Sequence, residues 1–114
     1  MSTEEGLVYP TVYHFVEEFI AVMYPSVAGG DTRWAPQWWK HKEAVTRLTA
    51  LWKRFEQLRL EEPGTYVETF LRVHGDYHMG VLQRPGGVFS ECEREDTPSM
   101  PLRCAPLDGS LDEV

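Results

Sequence analysis

Groups for covalent and redox chemistry are scarce in this 114-residue chain. Two cysteines, Cys92 and Cys104, are too few for the disulfide framework of a small secreted domain. Long apolar runs are missing as well. The longest, Phe19-Ile20-Ala21-Val22-Met23-Tyr24, falls far short of the ~20 residues a helix needs to cross a bilayer. The N-terminus, Met1-Ser2-Thr3-Glu4-Glu5, is acidic and lacks the basic-then-apolar layout of a secretory leader. These absences lead us to expect a cytoplasmic protein with reduced thiols and no membrane contact. Basic residues are outnumbered, with 11 Lys and Arg against 18 Asp and Glu and a formal net charge of −7. No internal repeat or low-complexity run is visible.

Apolar residues are plentiful enough for a core, at 42% of the chain with 12% aromatic, which excludes wholesale disorder. The charge is segregated. Residues 89–114 hold seven acids and two bases, several prolines and no helical or strand period. They read as an extended acidic tail that adds little to stability. Residues 33–59 run the other way: Arg33, Lys40, Lys42, Arg47, Lys53, Arg54 and Arg59 face only Glu43 and Glu56. We divide the chain into a helical domain over 1–92 and an acidic tail over 93–114.

Periodicity predicts an all-α fold of three to four helices. Val12, Phe15, Val16, Phe19, Ile20 and Met23 recur at three- and four-residue steps, so 11–24 is a helix with Thr11 as its cap. Tyr24-Pro25 ends it, because proline disfavours the α conformation in the residue before it. Residues 26–31 read as a loop. The stripe Val45, Leu48, Leu51, Trp52, Phe55 and Leu58 predicts a helix over 38–60 that serves as the spine, with Trp52 in the core. Glu62-Pro63-Gly64 breaks the pattern, and Thr65 with Glu68 fits a capping box for the next helix. Val67, Phe70, Leu71 and His74 follow on one side of it. Gly75 then stops that helix, and Asp76 caps a short fourth one carrying Met79, Val81 and Leu82. Arg84-Pro85-Gly86-Gly87 is a turn from which Val88-Phe89 packs back.

One run has a distinctive shape: Trp34-x-Pro36-x-Trp38-Trp39-x-His41-x-Glu43-Ala44-Val45-x-Arg47-Leu48-x-Ala50-Leu51-Trp52, then Glu56-x-Leu58-Arg59. Together with His74-x-Asp76-x-His78-Met79-x-Val81-Leu82 and Gly87-x-Phe89-x-x-Cys92, it resembles a small Trp-rich family of unknown function found in actinobacteria and their phages and plasmids. The likeness spans about residues 9–92. It implies a compact helical domain in a bacterial or phage setting, and it brings no catalytic residues with it.

Three constellations bear on chemistry. His74 and His78 are four apart, so on a continuous helix they share a face, a spacing that zinc sites use. Asp76, His41 and Cys92 would complete a set of borderline ligands for zinc. The competing reading has Asp76 as a cap and the histidines as partly buried hydrogen-bonding groups. The basic, aromatic stretch from Trp34 to Arg59 offers either nucleic-acid binding through the helix over 38–60 or a protein interface. Adjacent residues on a helix point about 100° apart, so one of Trp38 and Trp39 is expected at the surface as an interface anchor. Trp34, Trp38, Trp39, Lys42 and Arg54 are the candidate interface residues. Nucleophilic catalysis finds no support: Cys92 sits between Glu91 and Glu93, and nearby negative charge dulls a thiol. The adjacent pairs Glu17-Glu18 and Glu61-Glu62 diverge on a helix and read as solvated charge. The expectation is a non-enzymatic accessory protein of an actinobacterium, phage or mobile element that binds a protein partner without a cofactor; the alternatives are a zinc-binding domain or metal-dependent enzyme using the His74, Asp76 and His78 cluster, and a nucleic-acid binder.

Overall fold

The computed structural model describes residues 7–25, 32–89 and 104–107, and among them it is helical with no strand. Residues 26–31 and the acidic stretches 90–103 and 108–114 lie outside the described residues, so the expected loop and most of the expected tail do too.

The first helix, α1, covers 12–23. It begins as α-helix at Val12–Phe15, widens to a π-helix at Val16–Ile20 and returns to α at Ala21–Met23. Thr11 caps it as its sequence position predicts, its hydroxyl accepting from the His14 amide. At the other end Gln83 Nε2 donates to the Tyr24 carbonyl and relieves one of the orphan acceptors that every helix terminus leaves.

The spine helix, α2, is Lys42–Glu61, four residues shorter at its start than the periodicity suggests. Trp38–Lys40 form a separate 3-10 turn, and His41 is extended at φ −102°, ψ 113°. This break overturns the expectation of a surface tryptophan. With the chain turning between them and the spine, Trp38 and Trp39 both pack inward, at 0% and 4% exposure. Lys40 Nζ lies 5.7 Å from the centre of the Trp39 ring, covering its outer face. Trp34 is equally buried and meets Phe89 edge-on at 5.2 Å, so Val88-Phe89 does pack back after the turn.

The third helix, α3, covers 66–83 without interruption: α at Tyr66–Thr69, π at Phe70–Gly75 and α at Asp76–Gln83. Four readings of the sequence are corrected here. Thr65 makes no side-chain cap; its hydroxyl and that of Thr69 donate to Glu62 Oε1, while Glu68 is held by Arg72. Gly75 stays helical at φ −61°, ψ −50°, so it does not stop the helix. Asp76 is therefore interior to α3 and caps nothing; its carboxylate accepts from the Tyr24 hydroxyl at 2.7 Å. Val67, placed on the inner side from the sequence, is exposed.

Gly75 is fixed by packing instead. A Cβ there would stand 2.5 Å from Tyr24 Oη and 3.1 Å from Phe70 Cε2. Replacing glycine by alanine inside a helix ordinarily stabilises by about 0.5–1 kcal/mol. Here Gly75→Ala is expected to destabilise by about 1–2 kcal/mol, since the methyl displaces the Tyr24 ring and its bond to Asp76. In a Tyr24→Phe background, which removes the crowding oxygen, urea denaturation should show the penalty shrinking by at least half. A glycine in the turn after α3 has the more familiar role: Gly86 takes φ +80°.

The core joins two groups. Phe15, Phe19, Phe55 and Phe70 meet with ring centroids 4.9–5.9 Å apart, within the range aromatic pairs favour. Trp34, Trp38, Trp39 and Phe89 continue the same buried cluster alongside Leu48, Leu51, Leu58, Met79 and Leu82. Trp52, expected among them, is only half-buried; its Nε1 donates to the Tyr9 carbonyl at 3.0 Å.

The acid-rich segment is not wholly apart from the body. Cys104 and Ala105 pack on the core cluster, and the Ala105 amide donates to the Pro36 carbonyl at 2.9 Å.

Candidate functional site

Charge and apolar exposure converge where α2 and α3 lie side by side. Arg47 and Arg54 are seven residues apart on α2, two helical turns, which places them about 10.5 Å apart along the axis. His74 and His78 are one turn apart on α3. The helices run antiparallel, so the pairs meet in order: Arg47 Nη1 is 2.9 Å from His78 Nδ1, and Arg54 Nε donates to His74 Nε2 at 3.3 Å. Each arginine is steadied along its own helix, Arg47 by Glu43 at 2.9 Å and Arg54 by Gln57 at 2.8 Å and Glu61 at 3.5 Å.

This geometry dictates the protonation of both imidazoles. A guanidinium can only donate, so His78 Nδ1 and His74 Nε2 must each present a lone pair. Both rings are then neutral, with the proton on the opposite nitrogen. The electrostatics agree. Burial lowers the His74 pKa below the ordinary histidine value, with Arg54 adding to it, and burial lowers that of His78, with Arg47 and then His74 adding to it.

A pH dependence follows with a definite sign. The folded state resists protonation at His74 and His78, whereas the unfolded chain takes up protons near pH 6.5. Between those limits the unfolded state binds more protons, so the contribution is intact above about pH 7. It is lost as the pH falls through 6.5 towards the lower folded values. Urea denaturation at pH 7.5 and 5.5 should therefore show a drop in stability that shrinks in a His74→Gln/His78→Gln double variant. An equal drop in both proteins would place the sensitivity elsewhere.

Beside the two rungs, Val73 and Tyr77 stand one turn apart on α3 and face solvent, at 47% and 64% exposure. Tyr77 also meets the His78 ring edge-on at 5.2 Å.

The other residues singled out from the sequence are scattered. His41 stands edge-on to Phe89 at 5.1 Å, and Asp76 is turned to Tyr24. Cys92 lies outside the described residues, among which no three His, Cys, Asp or Glu side chains gather as a metal-holding group. Of the candidate interface residues, Trp34, Trp38 and Trp39 are core, Lys42 is exposed, and Arg54 is half-buried in its rung. Arg47 and Tyr77 were not singled out. Arg47 shares its α2 face with Arg54 at a seven-residue spacing, and Tyr77 lies off the apolar stripe of α3; both signals are present in the sequence. Cys104, the cysteine within the described residues, has its thiol pKa pushed up to about 11 by burial and the Glu17 carboxylate, with the Trp38 indole pulling weakly the other way. Such a thiol is protonated at neutral pH and is a poor nucleophile.

The arrangement defines a small three-helix domain with a mixed cationic and aromatic face and no helix, among the described residues, long and apolar enough to cross a membrane. The chain belongs to the family described as a domain of unknown function (DUF4913), whose profile matches residues 9–109. No curated protein and no solved structure matches it.

Proposed function

We propose that this is a non-enzymatic accessory protein of an actinobacterium, phage or mobile element, and that it binds a protein partner through the α2–α3 face. The observation that carries this reading is the exposed pair Val73 and Tyr77 beside the Arg47–His78 and Arg54–His74 rungs. Tyrosine and arginine are the residues in which interface energy concentrates, provided they are held in place before the partner arrives. The imidazoles and carboxylates around the two guanidiniums do that holding. The bacterial or phage setting rests on the pattern from Trp34 to Trp52, and a cytoplasmic location on the composition.

The face makes a clear demand on experiment. A photocrosslinking amino acid at Tyr77 should trap one discrete partner in extract of the native host, and the same group at Leu60, which is 72% exposed on α2, should not. With the crosslinker at position 77, Val73→Asp should reduce capture by tenfold or more without moving the melting temperature by more than a few degrees. Equal crosslinking at Leu60 would remove the basis for the proposed face. Capture abolished by nuclease and steeply weakened by salt would favour instead a nucleic acid held by the basic residues of α2.

A further inference from the structure

The segment Cys104–Leu107 is held in a way that ordinary chain packing does not require. Both main-chain groups of one residue are read: the Ala105 amide donates to the Pro36 carbonyl at 2.9 Å, and its carbonyl accepts from the Tyr13 hydroxyl at 3.0 Å. Pro36 has no amide of its own, and its carbonyl is turned to a partner distant in sequence. The Tyr13 and Trp38 rings stack at 6.3 Å and 21°, giving a flat wall against which the half-buried Cys104 side chain rests. Pro106 biases Ala105 to an extended backbone, the form in which main-chain groups are free to be read. Main-chain contacts for affinity and a small side-chain pocket for selectivity are how extended peptides are commonly recognised.

We propose that Tyr13, Pro36 and Trp38 form a peptide-binding groove, that Cys104–Leu107 is its ligand in cis, and that the same segment of a second copy is the ligand it takes in trans. The length of the connection supports exchange. Fourteen residues separate Phe89 from Cys104. At about 3.3 Å each they reach roughly 46 Å, well beyond the ~30 Å length of α2, so the tether permits the segment to leave and seat on a neighbour. Covalent linkage also supplies a high effective concentration, so the cis form dominates in dilute solution and the trans form emerges as concentration rises or the cis contact is weakened. Leu107, 43% exposed beside the groove, is available to either arrangement. The groove shares no residue with the α2–α3 face, so its test is independent of that reading.

The experiment uses the full chain. Ala105→Pro deletes the amide that Pro36 accepts and leaves the groove residues intact. A synthetic peptide matching residues 102–109, added up to millimolar concentration, should shift the Trp38 indole N–H resonance of the Ala105→Pro chain. It should do so at least tenfold more tightly than with the unmodified chain, and a peptide carrying the same proline should not bind. Absence of binding to the variant, or equal binding to both chains, overturns the groove. Hydrogen exchange on the unmodified protein gives a second reading that survives any folding defect of the variant. The Ala105 amide should exchange tenfold or more slowly than an unstructured peptide, yet faster than the Leu51 amide in the middle of α2. Exchange at the unstructured rate overturns the contact, and exchange as slow as that of Leu51 overturns its release.

Discussion

Phe55→Ala is expected to cost about 3–5 kcal/mol, and Trp52→Ala only about 2 kcal/mol, although the two residues share the apolar stripe of α2. Phe55 is 2% exposed and stands at the centre of the aromatic core, with Phe15, Phe19, Phe70, Tyr9 and Tyr66 all within 4.9–5.8 Å between ring centroids. Truncating it strips one side from five neighbouring rings drawn from α1, α3 and the segment before α1. The surroundings cannot all close inward at once, so the transfer loss and the cavity term add. Trp52 is larger but half in water. Its removal forfeits part of its burial and the hydrogen bond from Nε1 to the Tyr9 carbonyl, a group near enough to the surface to find water instead. Urea denaturation of both variants with matched slopes would test the ordering. A Trp52→Ala loss as large as that of Phe55→Ala would mean that the indole, not the phenylalanine, is the keystone.

The difference in burial between Phe55 and Trp52 shows where the sequence was legible and where it was not. The apolar positions of α1 and α2 place both helices, though α2 begins four residues late and Met23 at the end of α1 is exposed; the turn at 84–87 and the inward return of Phe89 were readable from proline, glycine and hydrophobicity alone. Periodicity reports a face and its width, but not which edge of the face a neighbour covers, so Trp52 could not be told from Phe55. It also assumes a regular helix. The 3-10 turn at Trp38–Lys40 let two adjacent tryptophans bury together, and the π segment at Phe70–Gly75 carried α3 through a glycine that reads as a stop. In the candidate site, the stripes 47/54 and 74/78 were each visible as same-face spacings, but their pairing belongs to the docking of α2 against α3. The contact of Ala105 with Pro36 and Tyr13 is hardest to foresee, because it is made by main-chain atoms that every residue carries.

Glu56 is the clearest case of a residue whose character contradicts its position, and its removal is expected to cost about 2–4 kcal/mol. It is 6% exposed, the one buried charged residue among those described, and its neighbours explain why α2 tolerates it there. Its carboxylate accepts from the Val8 amide at 3.0 and 3.1 Å, from the Tyr9 amide at 2.9 Å and from Arg59 Nε at 3.3 Å. A buried carboxylate is costly unless it is paired and hydrogen-bonded, and this one is both. The same four-residue spacing that puts Trp52 and Glu56 on one side of α2 lets them hold Tyr9 from both ends, the carboxylate taking its amide and the indole giving to its carbonyl. Tyr9 in turn places its ring against Phe15, Phe19 and Phe55. Glu56→Ala leaves two inward-facing amides without an acceptor and Arg59 without its anion, and it releases the segment that lids the aromatic core. Glu56→Gln should be milder, about 1–2 kcal/mol, because an amide oxygen still accepts from Val8 or Tyr9 while the charge-assisted share is lost. In hydrogen exchange the Val8 and Tyr9 amides should lose protection in both variants, and the Leu51 amide only in proportion to global stability. Protection retained at Val8 and Tyr9 after Glu56→Ala would mean that the segment is held by the Tyr9 ring alone, with the carboxylate a passenger on α2.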